Sequence, residues 1–495
     1  MKVLRPEQCV ALDGHPCGAC TEDVELEKEI NELDIRIGNI HLRRRALRTV
    51  MNENHDHLIY SFPPEITSHI FIQYTPPSAL FDSDNRSTPL YLSAVCRKWR
   101  QLAWATPRLW SSLLVGFRRR GKYNCINESD LPQLVAEWLE RSATSSLSLT
   151  IRLDLSGQGF EDHRDGVYCD VMNILNKHSG KWYDMHFSLP MRHLHRLHGS
   201  LQENILRRLL CHHRPFFEPS QFSTFSMIHK PSPTDLTLVA VGLPYVDIIW
   251  NNLTIASVDE IGDDECVELV RRAPLLESLS LRGIRASSGL FPFLITRIIR
   301  PHLHSLELSR ISGEDVVAAI LDSVCFPSLK QWIHDDSPLP LDSMISFLGY
   351  LSSCLKVFKI SIGNVNHHQV NQLLWNLSSL EFLELRIGNQ LLSDLDFLYG
   401  FPESPLFLPH LQSLEFIGEF SFPWECLLPL FAPSHRRSLR VKANTRLGRL
   451  HNITEETVTR LQELVDSGFD LKLFRDGRID LLQDHFRGES FVDAY

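Results

Sequence analysis

The sequence predicts a mixed chain of the α+β or α/β class: a long N-terminal helix, a small all-helical module, and a solenoid of short repeats whose parallel strands line a concave face. Three patterns carry this prediction. An apolar heptad pattern runs from residue 21 to 54, short apolar stripes follow between 62 and 113, and a leucine-rich phrase recurs from residue 250 onward. We therefore divide the chain into a flexible leader (1–20), an amphipathic or coiled-coil helix (21–57), a helical module (58–116), a repeat solenoid (117–470) and a tail (471–495).

Composition narrows the classes of partner. The chain has 495 residues, of which 43% are hydrophobic and 22% charged, and its formal net charge is -10. It is too apolar for a disordered chain, and no overall positive field exists to hold a phosphate backbone. Residues 1–20 lack the apolar core of a signal peptide, and no apolar run is long enough to cross a bilayer. We therefore expect a cytoplasmic or nuclear protein with reduced cysteines, and no binding to nucleic acid or membranes.

The leader contains half of a possible metal site. Its Cys-x-x-Cys pair is one half of a zinc site, but no second pair follows at a finger-like spacing. We therefore expect no metal there, although four potential ligands are present: Cys9, His15, Cys17 and Cys20.

A heptad seam from Thr21 to about Asn54 predicts a helix. Acidic residues gather at its start and arginines near its end, as the helix macrodipole favours. Two interpretations stay open at this stage: a coiled coil through which the chain self-associates, or a single amphipathic helix packed back on its own chain. The seam is interrupted by Arg44, and its apolar members are Leu26, Ile30, Leu33, Ile37, Ile40, Leu47 and Met51.

Region 62–113 predicts two short helices. The first would run from about Pro64 to Tyr74, because proline suits a helix start and Ile66 and Ile70 recur on one face. This region is too short to bury all of its apolar surface alone. We therefore expect a partner to cover part of that surface. The second helix would carry a single apolar stripe made of Leu92, Val95, Cys96 and Trp99.

The order of residues here resembles an F-box, the short helical module by which interchangeable receptor proteins dock onto the adaptor of a cullin-based ubiquitin ligase. The resemblance rests on Phe62-Pro-Pro-Glu-Ile66, Ile70-Phe71, Val95-Cys-Arg-Lys-Trp99 and Leu109-Trp110, in that order. The chain departs from the pattern at Phe62, where leucine is usual, and in a long loop over 76–89. The resemblance implies adaptor contacts at Phe62, Pro64, Ile66, Ile70, Phe71, Leu92, Val95, Cys96 and Trp99.

The C-terminal region repeats a phrase in which a leucine-like residue is followed three and five positions later by two more. Copies start at 250, 276, 303, 329, 355, 380 and 411, so the steps are 26, 27, 26, 26, 25 and 31 residues. A period in the twenties indicates leucine-rich repeats, in which each unit is a short strand with a returning helix and neighbouring units must stack. The copies at 250 and 329 are weaker, and the second ends in His334 where an aliphatic residue is expected.

Further elements are predicted around these strands. The whole region resembles the irregular leucine-rich repeats that commonly follow an F-box, including in fungal, basidiomycete-type F-box proteins, to which the stretch 134–149 is also similar. We expect returning helices at 265–273, 314–324, 341–351 and 368–377, helix-then-strand units at 131–151 and 171–187, and another strand at 222–227.

Strand residues that lie between the inward leucines should face solvent on the concave side. These residues are mixed in charge and include an aromatic, which suits a protein surface better than a phosphate backbone or a small-molecule pocket. The candidate target-binding residues are Arg282, Glu307, Lys359, Phe382, Glu384, Arg386 and Glu415.

No catalytic motif is found: the sequence has no Gly-rich phosphate loop, no His-Glu-x-x-His and no Gly-x-Ser-x-Gly. We therefore expect a protein that is not an enzyme and holds no cofactor. The resemblance implies the substrate-recognition subunit of an SCF-type cullin-RING ligase, with the SCF adaptor, through it a cullin, and a target protein as partners. Two alternatives remain: a repeat scaffold with an F-box-like hairpin and no ligase role, and a hydrolase or transferase hidden in the irregular middle.

Overall fold

The computed structural model describes two compact units. They comprise Met1–Leu113 with Glu137–Ser145, and Leu114–Ala136 with Ser146–Tyr495. Most of the predicted leader, with Cys9 and His15, lies outside the described residues. Within the ranges described, no helix is both long and apolar enough to cross a membrane. The described residues are 17–55, 59, 61–75, 89–117, 128–153, 165–213, 223–287, 289–293, 296–351, 354–362, 367–387, 406–418, 427–428, 431, 439–445, 455–475 and 479–480.

The first unit is helical. The long helix and the first short helix lie close to their predicted bounds, but the predicted second helix is split in two. Cys96 adopts an extended backbone (φ -154°, ψ 174°), and its Sγ accepts a hydrogen bond from the Trp99 N–H at 3.4 Å, so it caps a new helix. The single stripe predicted from Leu92 to Trp99 is therefore wrong. The elements are α1 (Gly18–His55), α2 (Pro64–Tyr74), α3 (Pro89–Val95), α4 (Arg97–Trp104) and a 3-10 turn (Pro107–Trp110).

The second unit is built on a 15-stranded sheet. Its strands follow chain order and are β1 (Ser112–Phe117, which begins in the first unit), β2 (Leu147–Leu153), β3 (Trp182–Ser188), β4 (Arg208–His212), β6 (Asp235–Val239), β8 (Ile255–Asp259), β9 (Ser278–Arg282), β11 (Ser305–Ser309), β13 (Gln331–Asp335), β14 (Val357–Ile362), β15 (Phe382–Ile387), β16 (Ser413–Gly418), β17 (Arg440–Thr445), β18 (Leu471–Arg475) and β19 (Ile479–Asp480).

Neighbours from β2 to β18 pair in parallel, and β19 pairs antiparallel with β18. Two small parallel sheets join β5 (Phe225–Ser226) to β7 (Val246–Asp247) and β10 (Ile298–Ile299) to β12 (Val324–Cys325). The helices are α5 (Leu131–Arg141, shared between the units), α6 (Asp165–Lys177), α7 (Asp263–Arg272), α8 (Glu314–Ser323), α9 (Leu341–Gly349), α10 (His367–Leu374) and α11 (Glu455–Asp466).

The leucine phrase sets the register of this sheet. Its second and third positions fall in two columns, and every member of both columns is buried, as the alternation predicts. The columns are Leu279, Leu306, Trp332, Phe358, Leu383 and Leu414, and then Leu281, Leu308, His334, Ile360, Leu385 and Phe416.

The weak copy assigned to Trp250 is out of register. In β8 the residues that align with Leu279 and Leu281 are Ala256 and Val258, so the phrase begins at Leu253, and Ile255 is exposed. An odd shift in register moves each side chain to the other face of a strand. The predicted inward role of Ile255 is therefore wrong.

Two further assignments need correction. The strand predicted at 222–227 forms β5 in a small sheet instead of joining the main one. The sheet extends through β18, which pairs with β17, so the tail that we placed from residue 471 contains sheet residues. The strands that were not predicted include β4, β6, β17 and β18.

His334 is fully buried in a column whose neighbours are Leu308 and Ile360. Its Nε2 lies 2.9 Å from the Pro338 carbonyl, which can only accept, so Nε2 carries the hydrogen. Burial lowers the pKa of this imidazole below its ordinary value, and the hydrogen bond to Pro338 opposes the shift.

We expect His334 to make the unfolding free energy fall as the pH is lowered below about 6.5, the ordinary histidine pKa. The unfolded chain then gains a proton that the folded state, with its lowered pKa, does not yet bind. Chemical denaturation of wild type and His334→Leu between neutral and mildly acidic pH measures this. The leucine variant should show the flatter pH profile, and parallel profiles would contradict the prediction.

Candidate docking surface

The outer face of α2 carries a row of large apolar side chains. Ile66 is 48% exposed, Ile70 37% and Tyr74 52%, and all three lie on one side of the helix. The buried residues of α2 are Thr67 and Phe71. An exposed row of large apolar residues that spans the helix, with a threonine inside, indicates a surface to be covered by another molecule.

A second exposed apolar stripe lies on α3. Tyr91 and Val95 are four residues apart, and Val95 is 55% exposed. Leu90 is exposed beside them. Phe62 and Pro64 are also exposed before and at the start of α2. Four predicted contacts, Phe62, Ile66, Ile70 and Val95, are therefore accessible large apolar side chains.

Two predicted contacts lie inside the unit. Phe71 is 1% exposed and its ring stacks on Trp99 with centroids 4.8 Å apart, while Leu92 is also buried. Phe71 and Leu92 each belong to the inner face of their helix, so neither offers exposed surface for the predicted adaptor contact. Cys96 and Trp99 are half-buried. Cys96 caps α4, and the Trp99 ring packs against Phe71.

The 3-10 turn anchors this unit. Trp110 is fully buried, and its Nε1 donates to the Ala103 carbonyl at 2.8 Å. Trp138 packs edge-on against Trp110 at 4.9 Å and donates from Nε1 to the Trp110 carbonyl at 3.0 Å. The Arg141 guanidinium lies 4.6 Å from the Trp104 ring centroid. The end of α5 therefore belongs to the same core as the 3-10 turn and α4.

Sequence reasoning missed several residues of this region. Tyr91 could have been found, because it precedes Val95 by one helical turn. Trp138 and Arg141 left no local signal that links them to Trp110, because they follow it by 28 and 31 residues in the sequence.

The outward side of the long sheet carries a cross-strand row of charges. Glu307, Lys359, Glu384, Glu415 and Lys442 stand on neighbouring or near-neighbouring strands in register. Their charges are largely paired: Lys442 pairs with Glu415, and Arg282 lies 3.5 Å from Glu307.

Glu384 is the centre of the strongest cluster in this row. Its carboxylate lies 2.7 Å from the Lys359 Nζ and 2.7 Å from the Arg386 Nε, and Arg386 also contacts Asp335 at 2.7 Å. The Lys359 ammonium lies 5.5 Å from the Phe382 ring centroid. Glu384 itself is buried, so the expectation that it faces solvent is wrong; it positions the two cations.

The acidic start of α7 has a structural role. Glu265 accepts hydrogen bonds from the Leu243 N–H at 2.8 Å and the Gly262 N–H at 3.2 Å, which is a capping arrangement. Asp264 accepts from the Phe291 N–H at 2.9 Å. Burial raises the pKa of the Glu265 carboxyl. Within the described part of the chain, no group of three His, Cys, Asp or Glu side chains is arranged to hold a metal.

Comparison with known proteins does not assign the chain to a family. No protein-family model matches the chain, and no curated protein is a significant match to it.

Proposed function

We propose that this protein is a substrate-recognition subunit of an SCF-type cullin-RING ubiquitin ligase, which docks to the adaptor through an F-box formed by α2, α3, α4 and the turn at Pro107. The observation that carries the proposal is the exposed row of Ile66, Ile70 and Tyr74. These three large apolar side chains point outward because the opposite face of α2 is fixed in the core of the unit, where Phe71 packs on Trp99.

The energetics support a docking surface of this kind. Each large apolar side chain contributes about 1.5–3 kcal/mol when fully buried. Phe62, Ile66, Ile70, Tyr91 and Val95 are already about half buried in the free chain, so completing their burial offers roughly 4–7 kcal/mol before the costs of association. The Phe71 and Trp99 stack reduces those costs, because the helices need no ordering on binding.

For the second unit we propose an irregular leucine-rich-repeat solenoid that binds a target protein with the outward side of its strands. The buried columns and the helices that connect several of the parallel strands support this architecture. The mixture of paired and partly exposed charges around Lys359 and Arg386 suits a polar protein surface. We propose that the protein acts in the cytoplasm or nucleus and is not itself an enzyme.

Reconstitution with purified adaptor and cullin tests the proposal. The chain should form a complex with the adaptor, and that complex should recruit the cullin and support ubiquitin transfer to a captured target. Failure to bind the adaptor would contradict the docking proposal. Adaptor binding without ubiquitin transfer to any captured protein would instead favour the scaffold alternative.

A further inference from the structure

The heptad seam of α1 is uncovered. Ile30 is 58% exposed, Ile37 50% and Ile40 59%, and Leu26, Leu33, Leu47 and Met51 are exposed as well. None of the described residues covers this seam, so the interpretation of a helix packed back on its own chain has no support. A row of large apolar residues over about seven turns of an isolated helix needs a partner.

The charges that flank the seam are divided between the two halves of the helix. With Ile30 and Ile37 at heptad position a, the flanking e and g positions of the first half are all acidic. Those of the second half are basic or neutral. The acidic set is Glu22, Glu27, Glu29 and Asp34, and the second set is Arg36, His41, Arg43, Arg48 and Val50.

A parallel pair of α1 helices is disfavoured by this pattern. In a parallel coiled coil, position g faces position e of the next heptad of the partner. Every such contact would join two like charges or, in one case, an arginine and a histidine. In addition, Arg44 at position a would face its own copy inside the seam. The contacts would be Glu22 with Glu27, Glu29 with Asp34, Arg36 with His41, and Arg43 with Arg48.

An antiparallel pair of α1 helices removes most of this conflict, because the acidic half of one copy then lies along the basic half of the other. One register places Leu26 opposite Met51, Ile30 opposite Leu47, Leu33 opposite Arg44, and Ile37 opposite Ile40. In this register Glu27 faces Arg48 and Asp34 faces His41. The one like-charge contact left is Arg36 with Arg43.

We propose that this protein self-associates through an antiparallel coiled coil of two α1 helices, with the apolar residues of the seam as its core and the Glu27–Arg48 pair, present twice by symmetry, fixing the direction. This proposal does not depend on the docking of an adaptor. It selects a second copy as the occupant because the charge pattern of α1 complements itself when reversed.

Sedimentation of the full chain tests the dimer. Wild type should dimerise, and Ile37→Asp should weaken dimerisation by about a hundredfold, since it buries a charge in the seam. Ile35→Asp is the matched control, because Ile35 lies on the opposite face of the same helix and is already 67% exposed. A monomeric wild type, a larger oligomer, or equal effects of the two variants would overturn the proposal.

Charge reversal tests the direction, because the two orientations predict opposite signs. In the antiparallel dimer, Arg48→Glu places two carboxylates opposite each other at both ends, and dimerisation should weaken about tenfold. In a parallel dimer the same change would place the new carboxylate opposite Arg43 and tighten the dimer. The double variant Glu27→Arg with Arg48→Glu should return the affinity to near the wild-type value in the antiparallel dimer. A tighter Arg48→Glu dimer, or a double variant weaker than both single ones, would overturn the antiparallel arrangement.

Discussion

Ile70→Asp is expected to abolish capture of the SCF adaptor while the chain stays folded. Ile70 is 37% exposed on the outer face of α2, so an aspartate there can remain in water in the free protein. In the complex the same carboxylate would be buried without a partner, and the apolar contact of the isoleucine would be lost. Together these cost about 3 kcal/mol or more, so affinity should fall at least about a hundredfold.

Two comparison variants separate docking from folding. Gln101→Asp introduces the same charge at an exposed position of α4, outside the apolar rows of α2 and α3, and it should bind the adaptor as wild type does. Phe71→Ala removes the buried ring that stacks on Trp99, so it should lower stability by about 3–5 kcal/mol and lose the adaptor through unfolding of the module. Binding measurements with each purified variant, together with thermal melting, distinguish these outcomes. Adaptor binding by a folded Ile70→Asp chain would remove α2 from the docking surface.

The sequence was a good guide to the sheet because a strand with one buried face has a simple period. The phrase that starts at Leu276 and recurs through Leu411 placed the residues of two buried columns correctly. Before β8 the phrase is weak, and we placed its start at Trp250 instead of Leu253. Both residues are apolar and both are buried, so the residue types alone did not show which of them starts the phrase.

The candidate docking surface was harder to predict, since periodicity identifies an apolar face but not what covers it. Phe71 lies next to Ile70 in the sequence, yet one is covered by Trp99 and the other is open. The break between α3 and α4 at Cys96 was also not predicted. Cysteine is an uncommon helix cap, and the apolar spacing continues across this position without interruption. Long-range contacts such as Trp138 with Trp110 leave no periodic signal at all.

Trp332→Ala is expected to be the most damaging single change in the second unit. Trp332 is fully buried in the first column, and its ring lies 5.1 Å from that of Phe358 and 5.3 Å from that of Phe347. The alanine would leave a cavity in the middle of the parallel sheet, at a cost of about 3–5 kcal/mol. Urea denaturation would measure the loss, and hydrogen exchange should show β13 and β14 opening first, because both strands border the cavity.

Two further tryptophan variants test whether packing is the cause. Trp332→Phe should cost much less, under about 2 kcal/mol, because it keeps an aromatic ring and removes a buried indole N–H that has no hydrogen-bond acceptor among the described residues. Trp375 also packs edge-on against a phenylalanine, Phe407, with ring centroids 5.0 Å apart, but it is 45% exposed. Trp375→Ala should therefore cost only about 1 kcal/mol. If Trp332→Ala and Trp375→Ala were equally destabilising, the column that contains Trp332 would not be the core that holds neighbouring strands together.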